Sequence, residues 1–68
     1  MTPNGTAIRA FREARKLSIR GLAARISRDP SHLSRIERGL AGASETTLRT
    51  VAAALDVPVA AINREESS

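Results

Sequence analysis

The chain has 68 residues, a net charge of +4 and an isoelectric point near 11.4, with ten arginines, one lysine and no cysteine. That length makes one small domain, and the missing cysteine excludes disulfides and thiolate metal sites; His32 cannot build a metal site by itself. The basic balance favours a polyanionic partner, and no apolar run is long enough for a membrane span or signal peptide, so the expectation is a cytoplasmic protein with no cofactor, metal, membrane contact or small-molecule ligand.

No strand alternation occurs along the chain, and its signals are helical. Thr2-Pro3 opens a first predicted helix that runs to about Lys16, with Ala7, Ile8, Phe11 and Ala14 on its apolar side. Ser18 caps a second, about Ile19 to Ile26, which buries Leu22, Ala23 and Ile26. Ser27-Arg28-Asp29 forms a three-residue turn. The third helix runs from Pro30 to Arg38. Asp29 caps it, Pro30 takes the first position, where no backbone donor is needed, and Gly39 ends it in the left-handed conformation. Leu40 to Ala43 is a loop marked by two glycines, Gly39 and Gly42. Ser44 caps a fourth helix, about Glu45 to Leu55, whose stripe is Leu48, Val51, Ala52 and Leu55. Glu45 complements the dipole at its start. Asp56-Val57-Pro58 breaks this helix, and a short last one spans about Pro58 to Asn63, burying Val59 and Ile62. The expected architecture is all-α, one compact five-helix domain over residues 1–63, followed by a polar tail, 64–68, with no reason to be ordered.

The third helix is the most informative stretch. Leu33 and Ile36 sit three apart on its buried side, while Ser31, His32 and Arg35 face outward near its N-terminal half. A helix that presents its first turns to base edges in a DNA groove needs that layout. Counted from Ile19, apolar residues fall at Leu22, Ile26, Leu33 and Ile36, with the small Ala23 where two helices cross closely. Any helical core needs leucine and isoleucine; the joint spacing is what describes a helix-turn-helix. The excess of arginine over lysine suits bidentate phosphate and guanine recognition, and a GC-rich genome would produce it as well.

Leu17-Ser18, Leu22-Ala23, Leu33-Ser34-Arg35-Ile36-Glu37-Arg38-Gly39, Leu48 with Val51-Ala52, and Leu55 with Val57 together resemble the Xre/Cro-type helix-turn-helix family of phage repressors and bacterial regulators. The resemblance runs from about Ile8 to Ile62, and Ser-Arg-Ile-Glu-Arg-Gly is its most specific part. It implies a lambda-repressor-like five-helix domain that binds operator DNA sequence-specifically as a transcriptional regulator. The partner is double-stranded DNA, whose major groove is read by helix 30–38. A homodimer on a palindromic operator is implied as well, formed either in solution or only on DNA.

The same resemblance assigns roles residue by residue. Arg12 and Glu37 match a largely buried ion pair that ties the first helix to the third; a DNA contact is the other reading of Arg12. Pro30, Ser31 and Arg35 match base-reading positions, with His32 beside them. Pro30 can only pack, for instance against a thymine methyl, and Ser31 discriminates weakly. The fork of Arg35 fits guanine O6 and N7, and a phosphate is its alternative. His32 suits a base, a phosphate or plain solvent. Ser18, Ile19, Arg38 and the Leu40 to Ser44 segment match phosphate contacts, and Arg9, Arg20 and Arg28 extend that rim. The hydroxyl and amides at the start of the second helix can hold a phosphate. Each of these arginines alone also reads as a solvated surface charge.

The chain departs from the family pattern at four positions. Ile19 replaces the usual glutamine, Ser27 the usual turn glycine, Arg28 a small apolar residue, and Ala43 a proline. Ser27 in a left-handed turn costs on the order of 1 kcal/mol. Two rival readings remain: an antitoxin-like module that binds a protein as well as its operator, and a coactivator-like domain that contacts proteins with little sequence specificity. An enzyme is the least supported, with one histidine and no paired carboxylates in a recognisable cleft. Leu40, Val57, Val59, Ala60 and Ile62 are the candidate dimer surface, or else Val57, Val59 and Ile62 close the core.

Overall fold

The computed structural model describes residues 2–64. Four α-helices follow one another: α1 Gly5–Ala14, α2 Ile19–Ile26, α3 Pro30–Glu37 and α4 Glu45–Leu55. A 3-10 helix, Val59–Ala61, closes the order. The fifth helix expected over 58–63 is therefore one 3-10 turn. Pro58 precedes it in an extended conformation, and Asn63 leaves it to form an antiparallel bridge with Pro3, so no room remains for an α-helical turn.

Three of the four α-helices begin where the local chemistry of the sequence places them. Ser18 Oγ accepts from the Gly21 N–H at 2.9 Å, Asp29 Oδ1 from Ser31 at 3.2 Å and Ser44 Oγ from Thr47 at 3.1 Å. Each satisfies one of the orphan donors of a first turn. The start of α1 differs from the expectation. Thr2-Pro3 does not open it; Asn4 does, its Oδ1 accepting from Ala7 at 3.1 Å. Residues 2–4 are used elsewhere, in an extended segment laid against residues 62–64. The Asn4 N–H donates to Ile62 O at 2.8 Å and the Arg64 N–H to Thr2 O at 2.7 Å. Arg64, assigned to the tail, is thus tied to the start of the chain; residues 65–68 lie outside the described residues.

All four α-helices end alike. Lys16, Ser27, Gly39 and Asp56 adopt positive φ, between 57 and 77°. The next residue's N–H reaches back five positions: Leu17 to Arg12 O, Arg28 to Ala23 O, Leu40 to Arg35 O and Val57 to Ala52 O, at 2.8–3.1 Å. This Schellman geometry stops α1 at Ala14, two residues short of the Lys16 expected from the pattern, and makes Arg38 the residue that follows α3. Only Gly39 meets the left-handed conformation without a Cβ penalty.

The core is contributed by every helix. Ile8 comes from α1, Leu22, Ala23 and Ile26 from α2, Leu33 and Ile36 from α3, and Leu48, Val51, Ala52 and Leu55 from α4. Ile62 seals it from the C-terminal side, with no exposed surface. Ala7, Phe11 and Val59 are half-buried against this cluster. Ala14 is exposed, because the last turn of α1 has passed the edge of the core. The fully buried Ile62 also leaves the candidate dimer surface, and Val57 and Val59 pack on the core; Leu40 and Ala60 stay exposed.

Candidate nucleic-acid interface

α2 and α3 pack as a pair through Leu22, Ala23, Ile26, Leu33 and Ile36, and this fixes which side of α3 faces outward. Its C-terminal end is fastened to α1 in two ways. Gly5 lies so close to α3 that a Cβ there would collide with the backbone carbonyls of Ile36 and Glu37. Beside it, Arg12 and Glu37 form a two-pronged ion pair, Nε to Oε2 at 2.8 Å and Nη2 to Oε1 at 3.1 Å. The third guanidinium nitrogen donates to Leu17 O at 2.8 Å, which also fastens the α1–α2 turn. The two side chains are only 13% and 6% exposed. The hydrogen bonds that Arg12 donates to Glu37 are the main reason that its guanidinium holds its proton above the usual arginine range, outweighing the opposing effect of burial.

The outward face of α3 and the start of α2 enclose an open concavity lined by Ile19, Pro30, Ser31, Ser34, Arg35 and Arg38. A neighbouring depression continues it toward α1, lined by Arg9, Arg12, Ile19, Ser34, Glu37 and Arg38. Of the residues with an expected base-reading role, Pro30, Ser31 and Arg35 meet here; His32 lies half-buried on α3 outside the concavity. Of those with an expected phosphate role, Ile19 and Arg38 line the concavity and Arg9 the depression beside it. Ser18 and Arg20 are exposed at the start of α2 without lining either. Arg28 points elsewhere: its Nη2 donates at 3.2 Å to Oγ1 of the buried Thr47, beside the Ser44 cap of α4.

Ser34, to which the family resemblance assigns no DNA contact, lines both depressions. A signal for it existed. Pro30, Ser34 and Arg38 are four apart, the spacing that puts side chains on one helical face.

Five arginine side chains are held by protein groups, while Arg20, Arg25, Arg35 and Arg38 are exposed with no such partner among the described residues, and of these four only Arg35 and Arg38 line the concavity. Arg9 pairs with Glu13, Arg12 with Glu37 and Arg49 with Glu45; Arg15 donates to Leu55 O and Asp56 O, and Arg28 to Thr47. Arg35 and Arg38 are exposed, and among the described residues neither side chain donates to another protein group. Uncommitted guanidinium forks on one helical face, beside short polar side chains, can accept phosphate oxygens or guanine edges.

Among the described residues, no group of histidine, aspartate and glutamate could hold a metal ion, and no helix is long and apolar enough to cross a membrane. No curated protein is significantly similar to the chain. Solved structures are. The restriction-modification controller protein C.AhdI from Aeromonas hydrophila shares 32% identity over 84% of this chain and 86% of its own, with a TM-score of 0.81. The N-terminal DNA-binding domain of SinR from Bacillus subtilis shares 34% over 94% of both, at 0.82, and SinR has also been solved in complex with DNA. The clp gene regulator ClgR from C. glutamicum shares 38% over 82% of this chain and 73% of its own, at 0.78. The helix-turn-helix domain family model matches residues 5–64, which takes in all four α-helices and the 3-10 turn. The chain therefore belongs to the helix-turn-helix domain family, in its Xre/Cro-like branch.

Proposed function

We propose that this protein is a transcriptional regulator that binds double-stranded DNA sequence-specifically, with α3 in the major groove. The observation that carries the reading is the concavity between α2 and α3, where Arg35 and Arg38 stand uncommitted beside Ile19, Pro30, Ser31 and Ser34. The helix-turn-helix neighbours are regulators, and one of them has been solved bound to DNA. In this reading Ser31 and Arg35 contact base edges, with Pro30 and His32 beside them. Arg38, Arg9 and Arg20 contact phosphates, as does the Ser18–Ile19 helix start through the Ser18 hydroxyl and its backbone amides. Arg28 supports α4 from within the protein and reaches DNA only by leaving Thr47. Arg12 and Glu37 hold α3 at its angle. The action is binding rather than catalysis, and it takes place in the cytoplasm, at the nucleoid.

We further propose that two copies bind one palindromic operator. A single eight-residue recognition helix reads only a few base pairs, too few for a unique genomic site. Half-sites then lie about one helical turn apart, roughly 34–36 Å.

Binding to duplex DNA, measured by fluorescence anisotropy at two salt concentrations with competitor DNA, tests the reading. Each neutralised phosphate adds about −0.9 to the slope of log affinity against log salt, so a steep negative slope is expected. No binding at low salt, or a flat salt response, rejects it. That result favours a protein-interaction module, for which the exposed Leu40 is the available apolar contact. One protein chain on each saturated operator, by sedimentation, rejects the two-copy arrangement alone.

A further inference from the structure

The concavity on the DNA-facing side is not uniformly polar. Ile19, first residue of α2, and Pro30, first residue of α3, both line it, and both are half-buried. Ile19 is anchored from behind by packing on the core, so its exposed part is held in place. Neither side chain has a hydrogen-bonding group. A phosphate or a bare acceptor edge placed against them would lose water without gaining a partner, which is unfavourable. The surroundings are the reverse: Arg35 and Arg38 lie in the same concavity, and Arg9 in the depression next to it. The major groove presents one apolar group among its hydrogen-bonding edges, the 5-methyl of a pyrimidine, which thymine always carries and cytosine carries only when methylated.

We propose that Ile19 and Pro30 form an apolar step that reads a pyrimidine 5-methyl group, which makes Ile19 a specificity-determining residue through its side chain. The inference rests on the proposed binding of duplex DNA at this face, and deepens it. Each half-site carries a thymine at the position facing the step, near the base pair or phosphate contacted by Arg35. Because the contact is to the methyl and not to the Watson–Crick identity, 5-methylcytosine satisfies the step where cytosine does not. The preferred site is therefore sensitive to cytosine methylation at that one position, in the direction of tighter binding.

The experiment selects a preferred duplex from a random pool, then replaces each thymine in it by uracil, one position at a time. Uracil lacks only the methyl, so pairing is unchanged. A loss of about fourfold in affinity at one position in each half-site is expected, the equivalent of one buried methyl. With Ile19→Ala, and independently with Pro30→Ala, the thymine-to-uracil difference at that position should shrink toward one, while differences elsewhere stay. Alanine suits the first position of a helix, and thermal melts identify a variant that fails to fold; Ile19→Val then replaces Ile19→Ala. A guanine–cytosine pair at that position should bind more tightly when its cytosine is 5-methylated. A selected duplex with no uracil-sensitive position overturns the inference and leaves DNA binding standing. Undiminished uracil sensitivity in both the Ile19 and Pro30 variants also overturns it. If no duplex is selected at all, the DNA-binding reading fails and the methyl reading with it.

Discussion

Arg12 and Arg35 carry the same guanidinium into opposite surroundings. Arg12 is 13% exposed, and all three of its nitrogens donate, two to Glu37 and one to Leu17 O. Arg35 lies two residues before Glu37 on the same helix, is exposed, and among the described residues donates to no protein group. At the α1–α3 junction charge is enclosed and saturated, and a backbone contact at Gly5 leaves no space for adjustment. On the α2–α3 face charge is solvated and open. Enclosed, saturated groups fix geometry, since breaking one partner strands the other in a poor solvent. Solvated groups fix nothing within the fold and are free to exchange water for a ligand. A short helix that must present side chains at a defined angle needs both regions, one to hold it and one to offer.

Removing one partner of the enclosed pair should have the largest effect. Glu37→Ala is expected to lose about 3–5 kcal/mol of folding stability, because it leaves the Arg12 charge stranded. The double variant Arg12→Met with Glu37→Leu should recover much of that loss, so the two single changes should not add. Denaturant melts of the three proteins check this, and additive losses would mean that the pair is not coupled.

Gly5→Ala probes the same junction without touching charge. The added methyl meets the carbonyls of Ile36 and Glu37, so α1 and α3 must separate. A loss of about 2–3 kcal/mol is expected, of the kind that overpacking produces, although alanine is the better helix former. A Tm equal to that of the parent would show that the close approach is not required.

On the open face the effect should fall on binding and leave stability within about 0.5 kcal/mol of the parent. Arg35→Ala should cost about 1–3 kcal/mol of discrimination at one base pair. Arg38→Ala should weaken binding nearly equally on every sequence and reduce the salt slope by about one unit. Affinities on a set of single-base operator variants separate the two. Equal losses on every variant for Arg35→Ala would assign it to phosphate.

The smallest effect concerns the turn between α2 and α3. Ser27 has φ 57°, where the Cβ of an L-residue is penalised. Ser27→Gly should raise stability by up to about 1 kcal/mol, the relief being partly offset by the larger unfolded-state freedom of glycine. A thermal melt showing destabilisation would mean that the serine side chain contributes more than the backbone strain removes.

Features set within one turn of chain are legible in the residues alone. Ser18, Asp29 and Ser44 name the starts of α2, α3 and α4, because a cap and its donor are two or three residues apart. The periodic apolar residues of these helices name the core, and the same spacing shows that Pro30, Ser34 and Arg38 share a face. Tertiary structure decided what depends on residues far apart. Thr2-Pro3 reads locally as a helix start, yet that segment pairs with residues 62–64, and Asn4 becomes the cap. Gly5 carries no local signal of its role, yet a side chain there would meet a backbone 32 positions away. Arg28 reads as one more basic group of the rim, and its bond to Thr47, 19 residues on, takes it out of the concavity. Local propensities act through hydrogen bonds that the chain cannot avoid making near itself. Which distant surface a segment meets, and so which arginines remain uncommitted, is settled only when the helices pack.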